Sequence, residues 1–421
     1  MNPSHPSPRA AHAQDIDLDR LLHPDEAKQI VLQHAQPLAH EIVPLAHAAW
    51  RVLAEDVVAT DDHPPFPAAT MDGYAVIASD ASPWREVIGA QTAGHPIDVE
   101  VTPGTAVRIT TGAPVPPGAD AVVRVENTEA ANDHVIIHQE SVQPGENIRP
   151  VGFDLRRGDR LLPAGTLLGP AEIGLVAGLG VDPVQVFRRP RVSVLSTGDE
   201  LVEPSQRLGP GKIRDSNRFS LIAALSASGA DVMWAGKGPD DREALAAVLR
   251  ERIASSDVVI TSGGVSMGET DYIKAILGEL ATVHFRRVFM KPGKPLNFAT
   301  AGNVLIFGLP GNPVSALVGF ELFIRPALGV LSGRREIDRP RVTVTLAHET
   351  PPTDRIEYQR AIVRADDDGR LIAATTGNQA SSRLVSLVGA NALLVIPPRE
   401  KAYQAGERVE AILLGPPLPA P

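Results

Sequence analysis

The period of the apolar positions changes several times along the chain. Residues 24–36, PDEAKQIVLQHAQ, carry the spacing of a short helix. Between 57 and 152 short β-type runs (AVRIT, AVVRVEN, HVIIHQ) alternate with the turn-rich PVPPGAD and EAANDH, which predicts an inserted β domain. Residues 154–184 mix turns with a small-residue helix. From about 190 strands and helices alternate: RVSVLST, then SNRFSLIAALSASG ending at Gly229, then VMWAGKG, then DDREALAAVLRERIASS. The last of these opens on a capping-box signature, Asp240 with Glu243. DVVITSGG, DYIKAILGEL, VLIFGLPGN and PVSALVGFELFIRPALGVL extend the series, which implies a parallel sheet flanked by helices. Ligands bind such sheets beyond the carboxyl ends of their strands. From 339 to 415, RVTVTLAHE, IEYQRAIVRA, RLIAAT, NALLVIPP and RVEAILL predict a small β-barrel or sandwich. No repeat of 20–50 residues is visible.

Composition narrows the function classes. A chain of 421 residues suggests about three domains at ~150 residues each. The net charge of −10 argues against general nucleic-acid binding, which needs a basic face. An anionic small ligand requires local Lys and Arg to override that sign. With no cysteine, disulfides, iron–sulfur clusters and thiolate metal sites are excluded. The N-terminal MNPSHPSPRAAHAQ has no apolar core of a signal peptide and reads as a tail. Val314 to Leu331 is the longest apolar stretch, and Glu321 and Arg325 within it read as too polar to span a membrane. The expectation is a cytoplasmic protein that binds neither nucleic acid nor membrane.

Four loops fall at predicted strand ends, STGDE, GPDD, SGGVSMGETD and GLPGNP, and the basic KPGKP precedes a further strand. TSGGVSMGETDY offers Ser262, Gly263, Gly264 and Ser266 to a phosphate, but lacks the lysine of a P-loop; a plain glycine-rich turn accounts for it equally well. STGDE ends in Asp199 and Glu200, a carboxylate pair suited to a hard cation or to proton transfer, or simply to a helix cap. Asp240 and Asp271 are open to the same two readings. KPGKP sets Lys291 and Lys294 in a proline-fixed loop downstream of Arg287, which favours an oxyanion over a merely solvated edge. In GLPGNPVSA, Asn312 caps a helix whose first residue is Pro313, with Pro310 and Gly311 fixing the turn. In the β half, MDGYAV puts Asp72 on a glycine turn and ITTGAPVPPGAD presents Thr110 and Thr111 before a rigid turn. For Asp72 an ordinary turn is sufficient.

Together MDGYAV, TGAPVPPGAD, STGDE, GGVSMGETDY, KPGKP and GLPGNPVSA resemble, in content and order, the MoeA-type molybdopterin molybdenumtransferases, including the corresponding domain of gephyrin. The resemblance runs from about residue 20 to 415. It implies a multidomain α/β plus β fold. Residues 1–19 would be a disordered tail and 20–56 a helical segment shared by the linking and α/β domains. The inserted β domain would span 57–152, and the second part of a segmented linking domain 153–184. A MogA-like α/β domain with helices on both faces would span 185–338, and a C-terminal β domain 339–416. The implied activity is insertion of molybdenum from molybdate into adenylylated molybdopterin, with AMP released and Mg²⁺ as cofactor.

The same resemblance implies Asp72, Glu200, Asp240, Asp271 and Lys291 as catalytic groups, with Glu200 and Asp271 toward Mg²⁺. Thr111, Arg149, Ser262, Gly263, Gly264, Ser266, Arg287, Lys294, Pro310, Pro313, Arg360 and Ser381 would contact substrate. Where the family commonly reads Gly-Glu-Asp, this chain has Gly152, Phe153, Asp154, which puts Asp154 in doubt. The family forms homodimers in which one subunit's β domain approaches the other's α/β domain, which would carry Asp72 and Thr111 to the cleft. A MogA-like adenylyltransferase and recipient enzymes of the cofactor are the further implied partners. The competing classes are a MogA-like adenylyltransferase, against which the extra β domains argue, and a non-enzymatic molybdopterin-binding scaffold. Tungsten in place of molybdenum stays open.

Overall fold

A computed structural model describes residues 18, 20–264 and 272–420. Its centre is a six-stranded sheet in the order Asp231–Lys237, Arg191–Ser196, Val258–Ser262, Val304–Leu309, Pro295–Ala301, Thr282–Arg287. The first four strands are parallel. Pro295–Ala301 runs antiparallel to its neighbours on both sides, so the sheet is mixed rather than all parallel as its sequence suggests. The cause is local: Ala301 pairs with Val304 across Gly302 and Asn303, and the positive φ of Gly302 (57°) suits a two-residue hairpin.

Alternation along these strands sorts their side chains into two cores. Val192, Val194, Val258, Ile260, Leu305 and Phe307 face the helices Asn217–Ala227, Pro24–His34 and the helical stretch after Pro313. Leu195, Val259, Ala299 and Ile306 face Arg242–Ser255 and Tyr272–Leu280. Burial on both faces is what makes these strands near-continuous apolar runs. The helix Asn217–Ala227 stops where expected, with Gly229 beyond it at φ 81°.

Two sequence readings need correction here. The cap of the helix Arg242–Ser255 is Asp241, whose carboxylate accepts from the Ala244 amide at 2.8 Å, so the box of Asp240 with Glu243 does not form. The helical stretch Pro313–Leu331 is in fact long and apolar enough to cross a membrane. Its burial, not its polarity, gives it another role: Val314, Ala316, Phe320, Phe323, Ile324 and Leu328 pack in the first core. Its Glu321 is ion-paired to Arg339 at 2.9 Å and to Arg325 at 3.5 Å.

Ahead of this unit, His40–Val43 pairs with Val184–Phe187, and Val57–Val58 with Arg160–Leu162. Stretches far apart in sequence thus share one core, with Leu53, Val57, Ala59, Leu168, Val176 and Val186. Val57 and Ala59 pack there rather than in the insertion. The insertion is a six-stranded sheet ordered Ala121–Arg124, Gly73–Val76, Thr105–Ile109, Trp84–Gln91, His134–Ile137, Thr128–Ala131. Gly73 is needed for close approach, since a Cβ there would lie 2.0 Å from the Val123 carbonyl oxygen.

At the C-terminus, Ile356–Ala365, Leu371–Thr375, Arg341–Leu346, Arg408–Leu413 and Ala392–Ile396 follow one another, and the last pairs back onto the first. This is a closed five-stranded barrel, filled by Val344, Leu346, Ala361, Val363, Leu394 and Ile396. A short strand of the α/β unit, Met290–Lys291, adds in parallel to Ile356 and Glu357.

Candidate active site

Three parallel strands end side by side at Ser196, Ser262 and Leu309, and their loops are stitched at once by main-chain bonds. Thr197 N–H donates to the Ser262 carbonyl (2.9 Å), Gly263 N–H to Leu309 (3.1 Å) and Gly238 N–H to Ser196 (2.8 Å). STGDE, SGG and GLPGN are therefore one continuous edge. Gly263 is held at φ 88°, and a Cβ on it would fall 2.4 Å from the Thr197 carbonyl oxygen, so glycine is obligatory at this crossing. Gly264 follows at φ 64°. The Glu200 carboxylate lies over Gly198, whose φ is 142°.

Asn217, which sequence reasoning passed over, ties this edge together. Its Nδ2 donates to Ser262 Oγ and to the Gly311 carbonyl, both at 2.8 Å, bridging the SGG and GLPGN loops. Among the described residues, the buried Ser196 Oγ, Thr261 Oγ1, Asn217 Oδ1 and Asn297 Oδ1 have no hydrogen-bond partner. All four belong to the carboxyl-end region of the sheet. Buried polar atoms left unpaired cost about 1–3 kcal/mol each, so such a concentration marks a place where something other than rigidity is served.

The acidic groups divide. With Asp241 taking the cap, Asp240 is free to meet Asp199. The hydrogen bond with Asp240 and the repulsion from its charge raise the Asp199 carboxyl above the usual Asp range, against the opposing charges of Lys237 and Lys212. Lys237 Nζ is 4.0 Å from Asp240, and Lys212 Nζ donates to the Asp199 carbonyl at 2.7 Å. Two carboxyls from two loops thus face one another beside two ammonium groups. Asp199 was not singled out from Glu200 in the sequence, because its partner lies two elements away. Asp271 and Ser266 lie outside the described residues.

On the basic side, Lys291 Nζ is 3.1 Å from Glu357 Oε1 of the barrel. Lys294 is half-buried and its carbonyl accepts from Val288 N–H at 3.0 Å. Arg287, also half-buried, ends its strand in register with Pro295. Asn312 and Pro313 occupy the N-cap and first turn as read from sequence. Asn312 does not cap its own helix, however: Nδ2 donates to Ser381 Oγ at 2.9 Å, and Val314 N–H donates to the Ser381 carbonyl at 3.1 Å. A barrel loop thus closes this helix start. Pro310 is buried beneath it. Arg360 is fully buried, so it does not face a ligand directly. Its Nε donates to Ser386 Oγ (3.0 Å) and Nη2 to the Ala380 carbonyl (3.2 Å), holding the loop that carries Ser381. Burial pushes that guanidinium down to about 10, partly offset by Glu357.

The insertion carries a separate group. Asp72 Oδ1 accepts from Thr111 N–H (2.7 Å) and Thr111 Oγ1 (2.8 Å), and these bonds hold its carboxyl below the usual range. Arg149 lies on the strand that pairs with Ala68–Ala69, close by in the chain fold. It meets Asp154 at 3.3 Å and the Phe153 ring at 5.8 Å, so the unusual Phe153 is a cation–π platform here. No described hydrogen bond or ion pair joins this group to the sheet edge within one chain.

Comparison with known proteins matches these units. A model of the MoeA N-terminal region (domain I and II) matches residues 22–180. A probable molybdopterin binding domain matches 193–329, and the MoeA C-terminal region (domain IV) matches 343–414. The molybdopterin molybdenumtransferase of Haemophilus influenzae is 36% identical over 390 residues, covering 91% of this chain and 96% of that protein. Gephyrin of Dictyostelium discoideum is 36% identical over 93% of this chain, which spans 62% of gephyrin's length. The molybdopterin biosynthesis MoeA protein of Pyrococcus horikosii has a TM-score of 0.81 at 30% identity, covering 94% of this chain and all of that one. With the family models and full-length relatives agreeing on the same three regions, the chain belongs to the MoeA family of molybdopterin molybdenumtransferases.

Proposed function

We propose that this protein inserts molybdenum from molybdate into adenylylated molybdopterin, releasing AMP. The observation that carries the reading is coverage: relatives named for this transfer align with the chain over nearly their whole length, barrel and insertion included. The sheet edge supplies what such substrates need. Both are polyanions, and in a chain of net charge −10 the local cations Lys291, Lys294 and Arg287 must supply the attraction. Main-chain amides at the glycine turn of Gly263 and Gly264 suit phosphate oxygens, with Ser262 beside them. The Pro310–Pro313 turn lies beside that glycine turn, and Ser381 borders it through Asn312.

Mg²⁺ is part of the proposal. It takes one or two carboxylates and completes its shell with water and phosphate oxygens. Among the described residues no group of three or more acidic or imidazole side chains is gathered for a metal, so substrate oxygens would have to supply most of the shell. Glu200 and Asp271 would hold it, and when bound it neutralises charge on the phosphates. The Asp199 carboxyl, raised by the neighbouring Asp240, is the candidate proton carrier for the oxygen lost from molybdate. Asp72, kept ionised by Thr111, works in the cleft of a second subunit, with Arg149 and Thr111 contacting that subunit's substrate. The working form is then a cytoplasmic homodimer, supplied by an adenylyltransferase and serving enzymes that use the cofactor.

Purified protein incubated with adenylylated molybdopterin, molybdate and Mg²⁺ should release AMP and form the molybdenum cofactor together. AMP release independent of molybdate, or unchanged activity in Asp271→Asn, would overturn the mechanism. A monomer at micromolar concentration would remove the shared role of Asp72.

A further inference from the structure

We infer that Glu357, a barrel residue, is the positioning residue for Lys291, and that it sets how tightly the cleft holds an oxyanion. The inference rests on the reading of Lys291 as an oxyanion contact. Lys291 and Glu357 are not two flexible side chains that happen to meet. They sit directly in register on paired parallel strands, Met290 opposite Ile356 and Lys291 opposite Glu357, so the backbones fix their separation. The ion pair, at 3.1 Å, is asymmetric: the Glu357 side chain is 5% exposed and that of Lys291 46%. The carboxylate is anchored behind. Its second oxygen accepts from the buried Gln359 Nε2 at 3.2 Å, and its charge is felt by the buried Arg360 guanidinium. Glu357 therefore cannot follow Lys291 outward.

An ammonium has three donors, and a single carboxylate oxygen takes one of them. The half-exposed side chain leaves the remaining donors accessible to an anion. Glu357 thus does two things at once. It holds the lysine in one orientation, and it opposes any anion that lands there, because the same cation must serve two negative partners. One like charge at about 6 Å in partly solvated surroundings corresponds to roughly a tenfold loss of anion affinity. A site that must release its anionic product benefits from such a counterweight.

The experiment is a double-mutant cycle read by calorimetric titration with molybdate alone at low salt. In Glu357→Gln, which keeps the shape and an oxygen acceptor, molybdate should bind about tenfold tighter. Turnover should fall, because the lysine loses its fixed orientation. Lys291→Ala should weaken binding; adding Glu357→Gln to it should restore part of the affinity, because the carboxylate's repulsion persists without the lysine, but should lower turnover no further, because the positioning effect acts only through Lys291. A change of less than about twofold in Glu357→Gln, or a further fall of turnover when Glu357→Gln is added to Lys291→Ala, would overturn the inference. If Lys291→Ala binds molybdate as well as the parent, the oxyanion reading of Lys291 itself fails, a result distinct from either. Glu357→Asp serves where the glutamine variant does not fold: the charge stays but withdraws by one methylene, and affinity should rise by an intermediate factor. A purely structural Glu357 would alter melting temperature and leave these affinities in place.

Discussion

Replacing Asn217 separates the two loops that frame the candidate cleft, and its consequence can be worked from two bonds. Asn217 is 7% exposed, and its amide donates at 2.8 Å to Ser262 Oγ and at 2.8 Å to the Gly311 carbonyl. A buried neutral hydrogen bond is worth about 0.5–1.5 kcal/mol net, so Asn217→Ala removes roughly 1–3 kcal/mol. The unpaired Oδ1 leaves with the side chain, which offsets part of this, and about 2 kcal/mol is expected. As the first residue of its helix, position 217 gives alanine no backbone penalty. Asn217→Asp keeps the size but turns the donor into a buried negative charge facing the Gly311 carbonyl, and should cost about 3–5 kcal/mol. The order Asn, Ala, Asp is the signature of donation; a role in packing alone gives Asn, Asp, Ala. Urea unfolding followed by circular dichroism reads the stabilities. The apparent KM for adenylylated molybdopterin, measured in the AMP-release assay, should rise in both variants because Gly311 and Ser262 no longer share a tether. Asn217→Asp as stable as the parent, or both KM values unchanged, would refute the bridging role.

Two further outcomes test the frame around the cleft. Gly263→Ala forces a side chain into φ 88° with its Cβ 2.4 Å from the Thr197 carbonyl oxygen; a loss of about 2–4 kcal/mol with a matching fall in turnover is expected, and a fully active, equally stable variant contradicts the crossing geometry. Burial, reinforced by the His34 ring at 4.0 Å, lowers His284 to about 4. A folded-state value below the unfolded 6.5 means stability present above pH 6.5 and lost as pH falls toward 4. Discounted for a ring only half-buried, the loss is about 1–2 kcal/mol, and melting curves of His284→Phe between pH 7 and 4.5 should be flatter than those of the parent.

What the sequence disclosed was governed by distance along the chain. The strand–helix alternation, the stop at Gly229 and the Asn312–Pro313 helix start depend on neighbours within a turn or two, and all are found where expected. The direction of Pro295–Ala301 was written in Gly302 and Asn303, a signal that the apolar runs on either side obscured. Asp240 and Asp241 compete for one cap, and a one-residue difference decides which carboxylate reaches Asp199. Asn217 and Glu357 were silent for a different reason. Their partners lie 45, 94 and 66 positions away, at Ser262, Gly311 and Lys291, and nothing local distinguishes a bridging Asn from an ordinary helix start or a buried Glu from a strand residue. Arg360 shows the converse, since a motif position does not reveal whether its side chain faces a ligand or a supporting loop.

The barrel is not a detachable module. Its outward-facing Ile356, Tyr358, Leu393 and Ile412 belong to the core of the α/β unit, and its edge receives the strand Met290–Lys291. A fragment ending at residue 338 would expose both an apolar face and an open strand edge, the two features that drive intermolecular pairing. Attempts to isolate the α/β unit by truncation should therefore yield aggregates, and experiments on this protein call for point substitutions in the full chain.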